Sequence, residues 1–289
     1  MTEPREAGFA VSGRHAGAKS QRRLAYYEWG DAGNPRAALC VHGLSRNARD
    51  FDWLARGLAA RHRVIAVDCA GRGGSDRLKD PSGYQPATYI GDVLDLLEHL
   101  GIAEVDWIGT SMGGLMGMAV AADPRTKATV RRLVLNDIGP FLPGKAMDRI
   151  GTYVGRAPLF ADLEAAKAYQ SAVNAEWHAM TEEQRDHLTR HSVRPHDGGG
   201  YEIHYDPAIG APLHNGRVPD LRIWERWDAA ACPVLVLRGA SSEVLLAETA
   251  EEMTRRGPRA TLVEIPGVGH TPSLMTNEQI GLVARFLEG

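Results

Sequence analysis

The sequence predicts an α/β fold: a mostly parallel central sheet with helices on both faces and an inserted helical cap. Three observations carry that expectation. Short apolar runs recur at 37–41, 64–67, 133–135 and 234–237, with a fifth at 105–109 broken only by Asp106. Runs of that length without alternation are the pattern of strands buried on both faces. Stretches with helical spacing separate them, and strand–helix alternation means a parallel sheet covered on both sides. The alternation stops after Pro140 and resumes near residue 230, so one insertion, 141–229, interrupts a core made of 1–140 and 230–289.

Taken in order, residues 1–20 carry charges of both signs and no apolar core. No secretory signal is expected there, only a frayed or strand-like start. Residues 24–29 alternate and hold aromatic residues, which reads as a strand, and 31–35 is turn chemistry. After the run at 37–41, Phe51, Leu54, Ala55, Leu58 and Ala59 stand at helical spacing within 48–60. The run at 64–68 feeds Gly71-Arg72-Gly73-Gly74-Ser75-Asp76, a sharp return whose spacing is not that of a phosphate cradle. Residues 86–100 place Tyr89, Val93, Leu96, Leu97 and Leu100 on one helical face. The strand at 105–109 then climbs into Gly109-Thr110-Ser111-Met112-Gly113-Gly114, followed by a small-residue helix. A further strand, 130–137, ends in Asn136-Asp137. The insertion carries helix-like pieces at 162–175 and 181–189, several tryptophans and tyrosines, and most of the histidines. A strand at 234–238, a helix at 246–256, a strand at 261–265 and a helix at 277–287 close the chain.

Composition narrows the function. Lysine plus arginine number 33 and aspartate plus glutamate 36, a formal net charge of -3, so no basic field exists to attract nucleic acid or anionic lipid. No apolar run approaches the roughly 20 residues of a membrane span. Three scattered cysteines, Cys40, Cys69 and Cys232, lack Cys-x-x-Cys spacing and read as reduced, buried thiols of a cytoplasmic protein. Neither the histidines nor the carboxylates have metal-ligand spacing, so neither metal nor cofactor is expected. The expected partner is a small molecule, and a homo-oligomer is left open.

Ligands of a parallel sheet gather at the carboxyl ends of its strands. Just past those ends stand His42-Gly43-Leu44, Asp68, Ser111, Asn136-Asp137, Ser242-Glu243 and Gly267-Val268-Gly269-His270. Gly-x-Ser-x-Gly on a strand–turn–helix puts a serine hydroxyl clear of the sheet. A serine needs a base, and a histidine in a late glycine-rich loop supplies one that works near pH 7. The order Ser…acid…His, with His42-Gly43 and Asp68…Gly71-Arg72-Gly73-Gly74-Ser75 ahead of it, resembles the α/β-hydrolase family over roughly 22–140 and 230–288.

That resemblance implies a capped serine hydrolase with Ser111 as nucleophile and His270 as base. The backbone N–H groups of Leu44 and Met112 would form the oxyanion hole. The acid has two candidates. Members usually carry it just past the strand that here ends at Arg238. Ser242 stands there and cannot serve, and Glu243 is next along. Other members carry it after the preceding core strand, where Asp137 stands. Asp137 is preferred, with Glu243 the alternative. His178 and His204 are candidate pocket walls, and Arg46 and Asn47 lie close enough to touch a substrate. The activity implied is hydrolysis of a small carboxylic ester, or a related acyl compound, through an acyl-enzyme. The alternatives are carbon–carbon hydrolysis of a diketone-like substrate, disfavoured by Thr110 where such members carry Asn, and a non-catalytic ligand-binding module. Members that act on haloalkanes or epoxides need Asp where Ser111 stands.

Overall fold

The computed structural model describes residues 3–13, 22–174, 177, 179–214 and 216–289. The elements in order are β1 (Arg5–Ala10), β2 (Arg23–Trp29), β3 (Ala37–Val41), α1 (Asp52–Leu58), β4 (Arg63–Val67), α2 (Pro86–His99), β5 (Val105–Thr110), α3 (Met112–Ala122) and β6 (Val130–Asn136). The insertion follows with β7 (Phe141–Leu142), α4 (Gly144–Gly151), β8 (Leu159–Phe160), α5 (Leu163–Val173), α6 (Glu182–Ser192), β9 (Val193–Pro195), β10 (Tyr201–Ile203), β11 (Leu221–Arg222) and α7 (Trp224–Ala229). Last come β12 (Val234–Gly239), α8 (Ala247–Met253), β13 (Thr261–Ile265) and α9 (Asn277–Glu288).

Eight strands form one sheet in the order β1-β2-β4-β3-β5-β6-β12-β13. From β4 to β13 every pairing is parallel. Strands β1 and β2 are antiparallel to their neighbours. Within the stretch read as frayed or strand-like, Arg5–Ala10 is thus the edge strand of the sheet, while 1–2 and 14–20 lie outside the described residues.

The apolar runs explain the two-sided packing. In β3, Leu39 and Val41 join one core cluster while Ala38 and Cys40 join the other. The same alternation holds for Ile65 and Val67 against Val64 and Ala66. Helices α2, α3, α7 and α8 cover the first face and α1 and α9 the second. Strand β3 lies between β4 and β5, and the crossovers through α1 and α2 leave by opposite faces. That reversal opens a crevice at the carboxyl ends of β3 and β5, the place where open α/β sheets bind ligands.

The insertion is more irregular than its helical pattern implied. It holds two small antiparallel sheets, β8-β10-β9 and β11-β7, beside its helices. Helix α5 ends at Val173, and Ala175 lies outside the described residues. The sharp return after β4 is closed by Gly71 N–H to Asp76 O at 2.9 Å and Ser75 N–H to Arg72 O at 3.0 Å. No described helix is long and apolar enough to cross a membrane. Burial pushes the thiol of Cys40 well up and that of Cys69 up to about 12, so neither is a reactive thiolate.

Candidate active site

Ser111 stands on a turn its own backbone resists. Its φ is 50° and its ψ -113°, a region that costs a residue with a Cβ about 1–3 kcal/mol. Tight packing holds it there. A Cβ on Gly109 would lie 2.4 Å from the backbone of Gly113, and one on Gly113 would lie 2.0 Å from Val41 O. Only glycine at both positions lets α3 descend this close to β5 and β3. Ser111 N–H donates to Asn136 O at 3.0 Å, and Ser111 O accepts from Gly114 and Leu115 N–H, which opens α3. Met112 is therefore the first residue of that helix, where N–H groups have no intrahelical partner.

The structure joins Ser111, His270 and Asp137 in one chain of hydrogen bonds. His270 Nε2 lies 3.1 Å from Ser111 Oγ, and His270 Nδ1 lies 2.6 Å from Asp137 Oδ2. Asp137 is fully buried and also has a positive φ, 58°. Two further donors satisfy its carboxylate: Gly239 N–H reaches Oδ1 at 2.8 Å and Ser242 Oγ–H reaches Oδ2 at 2.5 Å. Both oxygens of this buried carboxylate are thus hydrogen-bonded.

Glu243 is not brought to the site. Its side chain is 70% exposed and lies 3.3 Å from the Arg149 guanidinium. One residue earlier, Ser242 turns inward and caps the chain by accepting from Val244 and Leu245 N–H. The inward position of this loop is thus held by a hydroxyl that donates to Asp137, and its neighbour faces water.

The loop after β3 is fixed from below and above. His42 is fully buried; its Nε2 accepts from Cys69 N–H at 2.9 Å, so the proton sits on Nδ1 and donates to Gly43 O at 2.6 Å. Burial lowers its pKa to about 4, which keeps it neutral. Leu44 O accepts from Arg72 Nε–H at 2.9 Å. Asp68 takes Ala48 N–H and Gly74 N–H at 2.7 and 2.9 Å, tying the loops after β3 and β4 together. Asn136 Nδ2 donates to Thr110 Oγ1 and Pro272 O, which links the ends of β5 and β6 to the loop carrying His270.

Gly43, Leu44, Ser111 and His270 line a narrow cleft of about 100 Å³, partly open to solvent. Its roof belongs to the insertion: Ile150, Tyr153, Val154, Trp177, Met180 and Leu188. Arg46 lines it too, engaged bidentately with Asp50 and stacked 5.6 Å from the Trp177 ring centre. Asn47 faces the insertion instead, donating to His191 O at 2.7 Å. His204 does not line the cleft; its Nδ1 lies 3.4 Å from His191 O within the insertion. His178 lies outside the described residues. Among the described residues, no group of His, Cys, Asp or Glu is arranged to hold a metal ion.

Two participants were not assigned a role from sequence. Ser242 was set aside as an acid, and a donor to a residue 105 positions away leaves no local mark. Arg72 read only as part of a glycine-rich return. Its signal is an arginine between glycines, whose side chain can enter the core where neighbours lack side chains.

Comparison with known proteins adds three relatives. A 3-hydroxybutyrate-oligomer hydrolase of Cupriavidus necator is 41% identical over 275 residues, covering 92% of this chain and 93% of its own. A 2-(acetamidomethylene)succinate hydrolase of Mesorhizobium japonicum is 28% identical over 244 residues, covering 83% of each chain. The crystal structure of an alpha/beta hydrolase from Novosphingobium aromaticivorans superposes with a TM-score of 0.87 at 35% identity, covering 100% of this chain and 99% of that one. The model of the alpha/beta hydrolase family matches residues 38–284. With that match across nearly the whole chain, and a relative of this identity and coverage, the chain belongs to the alpha/beta hydrolase family and is a hydrolase.

Proposed function

We propose that this hydrolase cleaves short carboxylic esters through an acyl-enzyme on Ser111, and that oligomers of a 3-hydroxy acid are its substrate class. The observation that carries the mechanism is the unbroken line from Asp137 Oδ2 through the His270 ring to Ser111 Oγ, at the floor of the cleft. The substrate class is supported by the printed activity of the Cupriavidus relative and by the mainly apolar roof, suited to a methyl-bearing chain.

The steps follow from the geometry. Ser111 Oγ attacks the ester carbonyl as His270 Nε2 takes its proton. Asp137 holds the imidazole with Nε2 facing the serine and stabilises the imidazolium. The oxyanion meets the N–H groups of Leu44 and Met112, the second at the amino end of α3 where the helix dipole favours negative charge. Collapse breaks the C–O bond, and His270 returns the proton to the departing hydroxyl of the next unit. Water, activated by the same histidine, then releases the acyl group as a free acid.

The test is release of 3-hydroxybutyrate from its dimer and trimer, read by chromatography, in wild type and Ser111→Ala. Wild type should release monomer, and the variant should lose activity by ~10⁵–10⁶-fold. Undiminished turnover by Ser111→Ala would overturn the mechanism. Turnover of p-nitrophenyl acetate but not of the oligomers would overturn the substrate class alone.

A further inference from the structure

We propose that Arg72 is a positioning residue for the oxyanion cradle. One buried guanidinium holds the loop of Leu44 against the start of α3 and lends its charge to the oxyanion. The inference rests on the serine mechanism above and adds a component to it.

Arg72 is wholly buried, yet among the described residues no carboxylate forms an ion pair with it. An arginine taken out of water normally finds a carboxylate, because an uncompensated buried charge is costly. Here carbonyls and rings take that place. Nε–H donates to Leu44 O at 2.9 Å and Nη1–H to Ala70 O at 2.7 Å. Nη2 lies 3.9 Å from Met112 Sδ. The guanidinium carbon lies 4.7 Å from the ring centre of Tyr89 and 5.7 Å from that of Tyr84, an arrangement that favours a cation.

Two consequences follow. The same planar group bonds the Leu44 carbonyl and lies against the Met112 thioether, so it braces both residues whose amides are assigned above to the oxyanion. Its charge also stays uncompensated in a low-dielectric interior. A fixed positive charge behind the cradle acts weakly on a neutral ester carbonyl and strongly on an oxyanion. That difference is what lowers a barrier. The loop carrying Arg72 is, moreover, where the insertion returns to the core. Gly73 N–H donates to His204 O at 3.0 Å, and Asp206 N–H donates to Gly71 O at 2.7 Å. The roof and the cradle therefore meet on one short stretch of chain, Gly71-Arg72-Gly73.

The experiment compares Arg72→Met and Arg72→Lys with wild type, using kcat, KM, and inhibition by a trifluoromethyl ketone that becomes an anionic adduct on the serine. Arg72→Met should lower kcat by ~10–100-fold with KM within ~2-fold, and should weaken the inhibitor by the same factor as kcat. Arg72→Lys keeps a buried cation in nearly the same volume. It should fold even if the Met variant does not, and it should recover part of both losses. Loss of thermal stability with kcat and inhibitor affinity unchanged in either folded variant would overturn the proposal, as would equal losses in Lys and Met variants. These outcomes are separate from failure of the serine mechanism, which is read in the wild type. If the ketone does not inhibit wild type and Ser111→Ala retains activity, the mechanism itself falls.

Discussion

The sheet edge and the roof above it are built by different means. At the edge, backbone does the positioning. Ser111 and Asp137 both hold positive φ at strand ends, and Asp137 is gripped by a main-chain amide and a buried hydroxyl. The roof is tied to the core largely by side chains, beside main-chain hydrogen bonds at Gly71 and Gly73. Arg46 donates to Ser192 Oγ, Asn47 to His191 O, Gln184 to Met275 O, and His187 Nε2 meets Arg49 O at 2.9 Å. Its outer face is an ion-pair cluster of Lys167 with Glu164, Glu182 and Asp186. The edge holds Ser111 and Asp137 on strained backbone. The roof meets the core through separate contacts around the cleft. Edge changes should therefore act on kcat, and roof changes on KM.

The largest effect expected at the edge, beyond loss of the serine itself, is for the acid. Asp137→Asn should lower kcat by ~10³–10⁴-fold, because an amide in that place favours the wrong imidazole tautomer. Glu243→Gln should leave kcat/KM within ~2-fold, since its carboxylate faces Arg149 and water. The reverse order would break the comparison, moving the acid from the strand end to the loop.

Ser242→Ala comes next. It removes a hydroxyl donor from a buried carboxylate, a loss of about 1.5–3 kcal/mol in stability. A chemical denaturation curve measures that loss. A drop of ~10-fold in kcat should accompany it as the imidazole loses orientation.

Trp177→Ala tests the roof. Removing a large wall of the cleft should raise KM for the oligomer by ~10-fold or more with kcat nearly unchanged. A fall in kcat with KM constant would show that the roof takes part in the chemical step.

The smallest effect is on the pH dependence of stability. Burial, with Arg49, His187 and His204 nearby, lowers His191 to about 3 from its ordinary value of 6.5. An unfolded chain protonates this histidine near 6.5 and the folded one only near 3. The unfolded state therefore binds more protons between those values, and stability falls as pH falls through that window. His187 and His204 are lowered as well, chiefly by burial. Asp68, raised to about 7 by burial, acts in the opposite direction. The difference between wild type and His191→Gln isolates the histidine: the variant should lose less in melting temperature between about pH 7 and about pH 5. Identical slopes would contradict the assignment.

What could be read from the chain divides along the same line as edge and roof. Strands buried on both faces read as near-continuous apolar runs, so the stretches 37–41 and 234–237 announced themselves. The glycines around Ser111 are forced by backbone contacts, so the turn was legible as a motif. Asp137 could be placed at a strand end but not oriented, because its partners Gly239 and Ser242, at the end of β12 and in the loop after it, lie 102 and 105 residues further along. The short strands of the roof, such as β8 with β10, pair through two residues each and leave no periodicity to detect. Arg72 was hidden for a related reason. A buried cation held by carbonyls has no complementary charge in the sequence to betray it.

The central claim is that Asp137, His270 and Ser111 act as one unit. The most direct test is the rate at which a fluorophosphonate labels the protein, followed by intact mass. Wild type and Glu243→Gln should take up one adduct at the same rate, Asp137→Asn should label ~10³-fold more slowly, and Ser111→Ala should not label at all. Labelling of Ser111→Ala, or slow labelling of Glu243→Gln beside unchanged labelling of Asp137→Asn, would contradict it.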